Sequence, residues 1–117
     1  MDEVTTRFLQ PAYAVGNVDD WPASGFGETP GADARCRIFL AIADDERLRA
    51  AFGAFGPPPV IAAADWTCQR VTGETIENAR SLSVRELERA LALSPTQRYA
   101  GALAIDALAN AMINLGR

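Results

Sequence analysis

The chain has 117 residues, of which 49% are hydrophobic and 22% are charged, and its net charge is −4. This length predicts a single domain over residues 1–117, because such a chain buries roughly two-thirds of its unfolded surface. The negative charge argues against binding nucleic acid by phosphate neutralisation and against docking on anionic membranes. No apolar run approaches the ~18 residues of a membrane span, so we expect no direct membrane insertion.

The chain has no His or Lys and only two Cys, which limits the catalytic and metal-binding chemistry available to it. All eleven basic residues are Arg, and His is absent, which removes the commonest general base and any catalytic lysine. Two cysteines, Cys36 and Cys68, are too few for a disulfide framework. The first three residues are Met1-Asp2-Glu3, with no apolar signal segment after them. These absences do not exclude catalysis, which carboxylates, Cys36 or Cys68 would have to carry, but we expect a cytoplasmic protein that is not an enzyme.

The first third of the chain is predicted to hold little regular structure. Residues 5–10 favour a short helix that Pro11 stops. Residues 11–33 are rich in Gly, Pro, Asp and Ser, which predicts a long loop with a short edge strand near Phe26. A loop of this length is either functional or a tether, here packed by Trp21 and Phe26.

The middle of the chain predicts one clear strand and one ambiguous segment. Residues 36–42 (CRIFLAI) are apolar and rich in β-branched and aromatic side chains, which favours a strand. Residues 46–56 fit two structures about equally well. ERLRAAF is a good short helix by propensity, whereas a strand would place Leu48 and Phe52 on one face and Arg49 on the other.

The second half of the chain predicts a series of helices. Their ranges are 60–71, ended by Gly73; 76–80; 84–92; and from 95 to about 115, ended by Gly116. Side chains typical of helix caps precede three of them: Thr75; Ser83 with Glu86; and Ser94, Pro95 and Gln97. Strands grouped before helices favour an α+β fold over a parallel α/β sheet.

Four segments follow one another in a distinctive order: QPAYAVG, GADARCRIFLAI, FGPPPVIAAADWTCQRVTGETIENA and LSPTQRYAGALAIDAL. Their order and spacing resemble those of the IscU/NifU family of iron–sulfur cluster assembly scaffolds. The resemblance covers most of the chain. It implies an α+β fold of the SufE/NifU type, with a small antiparallel sheet of about three strands followed by a group of helices. It also favours the strand for residues 47–54.

By the same resemblance, most positions at which the family has its metal ligands hold different residues in this chain. Gly31, Pro57 and Ala100 stand at the positions of the cluster-ligating cysteines, and Tyr99 stands in place of a histidine. Asp33 alone matches a family ligand. Thiolates bind the iron of such clusters, and one carboxylate holds neither a cluster nor a structural zinc ion. We therefore expect a degenerate site with no metal or other cofactor.

Two segments bear on partners. The run Pro57-Pro58-Pro59 removes three amide donors and stiffens its loop, which suits a fixed surface better than a mobile sulfur-receiving loop. Trp21 and Phe26, together with these prolines, are candidate partner contacts. LSPTQ departs from the LPPVK motif that the family offers to its Hsp70-type chaperone, which argues against that handover.

The two cysteines and Asp33 each have a reactive and a structural interpretation. Arg35 and Arg37 flank Cys36 and would lower its pKa if they lay beside its sulfur. Cys68 lies in an apolar helix, where it fits as a small hydrophobe or a reactive thiol. Asp33 is either a remaining metal ligand or the acceptor of a turn hydrogen bond.

Three functions follow from the sequence. The first is a scaffold-like protein that has lost cluster binding and acts through protein–protein contacts, as an accessory subunit of a larger assembly or an adaptor in iron–sulfur biogenesis. The second is a working assembly factor in which Asp33 and residues of a partner complete the metal site. The third is a single-cysteine sulfur carrier that uses Cys36 or Cys68.

Overall fold

The computed structural model describes residues 2–116 of the chain. Three strands and five helices follow in this order: α1 Glu3–Leu9, β1 Ala23–Glu28, β2 Arg35–Ile42, β3 Leu48–Phe55, α2 Pro58–Val71, α3 Ile76–Arg80, α4 Val84–Ala90 and α5 Arg98–Leu115. Short 3-10 turns precede β1, separate β1 from β2, and lead into α5. This order confirms the predicted α+β class. None of the helices in the described range is long and apolar enough to cross a membrane.

The strands form one antiparallel sheet in the order β1-β2-β3. Phe26 of β1 pairs with Arg37 of β2, which pairs in turn with Gly53 of β3. Because side chains alternate along a strand, Cys36 and Ile38 point to the opposite face from Arg37. We call the face of Cys36 and Ile38 the inner face, and the face of Phe26, Arg37 and Gly53 the outer face.

Helices α2 and α5 cover the inner face and form the core with it. Cys36, Ile38 and Leu40 are fully buried there. Helix α5 lies so close to β1 that a Cβ atom added at Gly25 or Gly27 would overlap with the helix backbone. These two glycines are therefore the reason that the longest helix can pack directly on the edge strand.

The predicted elements are confirmed with shifts at their ends. The ambiguous segment is the strand β3, paired along its whole length with β2. Side chains of Thr75 and Ser83 cap α3 and α4, and Ser94 with Gln97 forms a capping box before α5. Helix α1 begins two residues earlier than predicted, because Asp2 caps it. The predicted edge strand near Phe26 is confirmed as β1, which divides the predicted loop over residues 11–33 into shorter irregular parts.

A buried carboxylate on α2 fixes the N-terminal segment to the domain. Asp65, which is 1% exposed, accepts hydrogen bonds from the amides of Ala12 and Tyr13 at 2.8 and 2.9 Å. Its other oxygen pairs with the Arg7 guanidinium at 2.8 Å, and Arg7 also donates to Gln69 at 2.6 Å. Every oxygen of this buried group thus has a partner, as burial of a charge requires.

Candidate functional site

The positions predicted to correspond to metal ligands meet at one end of the sheet. Gly31 and Asp33 lie in the turn between β1 and β2, and Pro57 follows β3 directly, at the start of α2. A Cβ atom at Gly56 would stand 3.0 Å from that of Ala34, so the turn and the proline loop touch. Tyr99 and Ala100 begin α5 at the same end, where that helix passes Gly27 of β1.

The side chains at this end supply few metal donors. Residues 2–116 contain no group of three or more His, Cys, Asp or Glu side chains placed to hold a metal ion. Asp33 is exposed, while Ala100 is fully buried in the core. An iron–sulfur cluster normally takes four protein ligands, mostly cysteines. The donor set present here does not fit one.

The backbone at this end fits the residues that occupy it. Gly31 has φ of 85°, a conformation that strains any L-residue with a Cβ atom. Pro58 and Pro59 occupy the first turn of α2 and have no amide hydrogen, and the next amide, that of Val60, donates to the Pro57 carbonyl. The start of α2 therefore lacks the free amides that favour a bound thiolate or anion.

Both cysteines lie in the core, away from this surface. Cys36 and Cys68 are 0% exposed. Burial raises the pKa of the Cys36 thiol to about 12. Burial also raises the pKa of Cys68 well above its ordinary value, with smaller contributions from nearby Cys36 and Asp65.

Of the two interpretations of Cys36, the structural one fits its surroundings, because the flanking arginines do not lie beside its sulfur. Arg35 and Arg37 lie on the outer face of β2, whereas the Cys36 side chain points to the inner face and into the core. Alternation along the strand separates the sulfur from both guanidinium groups. Its pKa rises because of burial, and both thiols are protonated at neutral pH, the opposite of a reactive thiolate.

Comparison with known proteins settles the family. The family model for the NifU-like N terminal domain matches residues 1–116. The chain belongs to this family. No curated protein sequence matches the chain. One crystal structure of similar fold, with a TM-score of 0.75, is that of a candidate iron–sulfur cluster assembly scaffold protein for the SUF system from thermophilic Fervidobacterium islandicum AW-1. It is 10% identical in sequence, and the match covers 96% of this chain and 95% of that one.

This NifU-like domain exposes some of the candidate partner residues and buries others. Phe26 is 43% exposed on the outer face, and Pro57 and Pro58 are exposed, while Pro59 is buried in the first turn of α2. Trp21 is half-buried, because its ring packs against Phe39 with centroids 6.4 Å apart. The structure therefore leaves Phe26 and the first two prolines accessible to a partner.

The outer face also contains a groove that the sequence analysis did not identify as a site. Phe55, at the end of β3, is 66% exposed and borders a groove of about 300 Å³ with Phe26. Arg37 lies 4.5 Å above the Phe39 ring and 5.0 Å from that of Phe26. The alternation of Arg with apolar residues in RCRIF was a signal for this face. The position of Phe55 beside these residues depends on the strand register, in which it pairs with Arg35, and the local pattern leaves that register open.

Proposed function

We propose that this NifU-like domain does not carry a cluster and acts through protein–protein contacts, as an accessory subunit of a larger assembly or an adaptor in iron–sulfur biogenesis. One observation carries the proposal. At the end of the sheet where the positions of the family's metal ligands meet, which we call the ligand end, the chain has Gly31, Pro57 and Ala100 instead of cysteines. Asp33 is the single matching donor there. In this role the protein is not an enzyme and has no resident cofactor.

The local geometry supports the proposal beyond the missing cysteines. A cysteine at position 31 would adopt a strained backbone, and one at position 100 would point into the core. The ligand end is thus built for its present residues. The cysteines that do exist are buried and protonated, which weighs against the sulfur-carrier alternative, since sulfur transfer needs an accessible thiolate.

Anaerobic reconstitution with ferrous iron, cysteine and a cysteine desulfurase tests the proposal. We expect neither stoichiometric metal nor sulfide, and no charge-transfer absorption in the visible range, while a cysteine-bearing scaffold treated in parallel takes up both. Iron or zinc near one equivalent per chain would overturn the proposal. If Asp33→Asn then removed that metal and Asp44→Asn did not, the assembly factor with partner-supplied ligands would replace it.

Thiol accessibility separates the proposal from the sulfur-carrier alternative. We expect no reaction of native protein with Ellman's reagent on the timescale of minutes, and reaction of both thiols after unfolding, because each is fully buried. Fast labelling of one thiol in native protein, followed by persulfide transfer to that residue from a desulfurase, would favour the carrier. The Cys36→Ala and Cys68→Ala variants identify which residue reacts.

A further inference from the structure

The groove on the outer face has a mixed aromatic and basic lining. It is formed by Val15, Val18, Phe26, Arg35, Arg37, Phe39, Gly53, Ala54 and Phe55. Gly53 lies opposite Arg37 in the register and has no side chain, so it leaves the floor of the groove open. Phe26 and Phe55 form exposed walls. A volume of about 300 Å³ is at the small end of ligand pockets and suits a few side chains of a partner.

The arginines of this groove are held in place by the aromatic rings. The guanidinium carbons of Arg35 and Arg37 lie 4.9 and 5.0 Å from the centre of the Phe26 ring, within the range of cation–π attraction. The Arg37 Nε donates to the Ser24 hydroxyl at 3.0 Å. Arg35 pairs with Glu28 at 3.2 Å, with both side chains about half exposed. Such a pair is weak and can exchange partners.

Arg37 is a cation without a counter-ion in the described part of the chain. Its Nε bond to Ser24 leaves the two terminal nitrogens of the guanidinium for another acceptor. A guanidinium fork accepts a carboxylate with two parallel hydrogen bonds. The protein as a whole has a charge of −4, so the positive charge of Arg37 beside exposed aromatic rings is opposite in sign to the net charge.

The edges of the sheet are partly closed, which directs a partner to the face. The side-chain amides of Asn110 and Asn114 donate to the carbonyls of Phe26 and Ser24 on the free edge of β1, at 2.8 and 2.7 Å. On the other edge, Phe52 of β3 exchanges backbone hydrogen bonds with residues 13 and 15. Addition of a partner strand at these positions would need existing bonds to break.

We propose that this groove binds a segment of another protein that inserts apolar side chains between Phe26 and Phe55 and places a carboxylate on Arg37. Charge complementarity selects this occupant, because the groove combines an apolar floor with a preorganised guanidinium. The inference deepens the proposed function by naming the surface and the chemistry of the partner. A cluster-binding result in the reconstitution would leave it standing, so the two fail independently.

Two other occupants fit the groove less well. Single-stranded nucleic acid would stack its bases on exposed rings, but guanidinium groups already lie over the Phe26 ring, and the net charge repels phosphate. A second copy of the chain would bring the same arginines towards each other if the groove lay on its two-fold axis.

Selection from a random dodecapeptide library on immobilised protein tests the proposal. We expect enriched peptides that carry Leu, Ile or Phe next to Asp or Glu. Replacing their acidic residues by Asn or Gln should weaken binding at least about tenfold, as loss of a charged hydrogen bond implies. Backbone amide shifts in the protein should then change at Phe26, Arg37, Gly53 and Phe55.

Matched variants locate the binding and provide the contrary outcomes. Phe55→Ser and Arg37→Gln should each weaken the selected peptides about tenfold or more, whereas Ile113→Ser and Arg85→Gln, on other exposed surfaces, should not. No enrichment, enrichment without acidic residues, or equal binding to all four variants would overturn the proposal. Tighter binding of a twelve-nucleotide oligothymidine, or a concentration-dependent dimer that Phe55→Ser abolishes, would replace it with the corresponding occupant.

Discussion

On the inner face of the sheet, Cys36, Ile38 and Leu40 are fully buried against α2 and α5, whereas on the outer face Phe26 and Phe55 remain 43% and 66% exposed. The two faces are made by alternate residues of the same strands, so they share one backbone and differ only in their surroundings. The inner face is filled by helices of the chain itself. The outer face keeps large apolar side chains that no helix of the described chain covers.

This difference separates side chains that stabilise the fold from side chains that remain accessible to a partner. Exposed apolar side chains next to one another contribute little to folding, and grouped patches of them commonly mark interaction sites. On β2 the buried Cys36 alternates with Arg35 and Arg37, which lie on the outer face. Substitutions can therefore test each face separately.

The largest effect is expected at the buried carboxylate behind the inner face. Asp65→Ala would leave the Arg7 guanidinium and the amides of Ala12 and Tyr13 without their acceptor. Breaking a buried pair in this way costs about 3–5 kcal/mol. Urea unfolding followed by circular dichroism measures it. On the outer face, Glu28→Ala removes an exposed pair with Arg35 and should cost under about 1 kcal/mol. An equal loss of unfolding free energy in both variants would show that burial does not make the Asp65 pair more important than the Glu28 pair.

The second prediction compares two glycines, one on each face. Gly27→Ala places a methyl group against the backbone of Leu103 in α5, and overpacking of this kind costs about 1–3 kcal/mol, or more when backbone must move. Gly53→Ala on the outer face meets only the Val15 side chain, at 3.9 Å, which is ordinary contact. We expect its free energy of unfolding to change by less than about 1 kcal/mol. Urea midpoints of the two variants and the parent protein, measured together, would contradict this if Gly53→Ala were the less stable.

The third prediction concerns the buried thiols and alkaline pH. The pKa of Cys36 is raised to about 12 in the folded protein, and that of Cys68 is also raised. The unfolded chain therefore loses these protons first as pH rises through about 9, and ionisation favours unfolding. The stabilisation is fully present below that pH and is lost towards pH 12, by up to ~1.4 kcal/mol per pH unit for each thiol.

Urea unfolding at pH 7, 9 and 10 measures this loss, which we expect to be about 1–3 kcal/mol by pH 10. The double variant Cys36→Ala, Cys68→Ala provides the control. It should be less stable at pH 7, because it leaves cavities in the core, yet its stability should fall less steeply between pH 9 and 10. The same pH dependence in both proteins would show that other groups cause the alkaline loss.

Local signals in the sequence were enough for the helices and for β2 but not for β3. Caps such as Thr75 and Ser83 act within one turn, so their residues identify the helix starts directly. The segment around Leu48 fits a helix and a strand equally, and only its pairing with β2 decides between them. A short edge strand near Phe26 was predicted, but the role of its two glycines was not, because the helix that requires them, α5, lies some eighty residues later in the chain.

Some candidate sites could also be found from the sequence, whereas others depend on contacts between distant parts of the chain. Resemblance to a family located Gly31, Pro57 and Ala100, because ligand positions keep their order along the chain. It could not reveal the groove, which needs the register that brings Phe55 near Arg37. Asp65 was not recognised as the acceptor for the N-terminal segment. The available signal was a single acidic residue within the otherwise apolar run VIAAADW, since such a residue is buried only with partners.

The smallest effect on stability is expected at Phe55 of the outer face. Phe55→Ser removes a side chain that is 66% exposed, so the free energy of unfolding should change by less than about 0.5 kcal/mol. Truncating a core phenylalanine to Ala lowers the free energy of unfolding by about 3–5 kcal/mol. On the inner face, Leu40→Ala should lower it by about 2–5 kcal/mol. Urea unfolding of both variants gives the comparison. A loss above about 2 kcal/mol for Phe55→Ser would mean that this ring supports the fold, and the outer face would then lose its distinct role in binding.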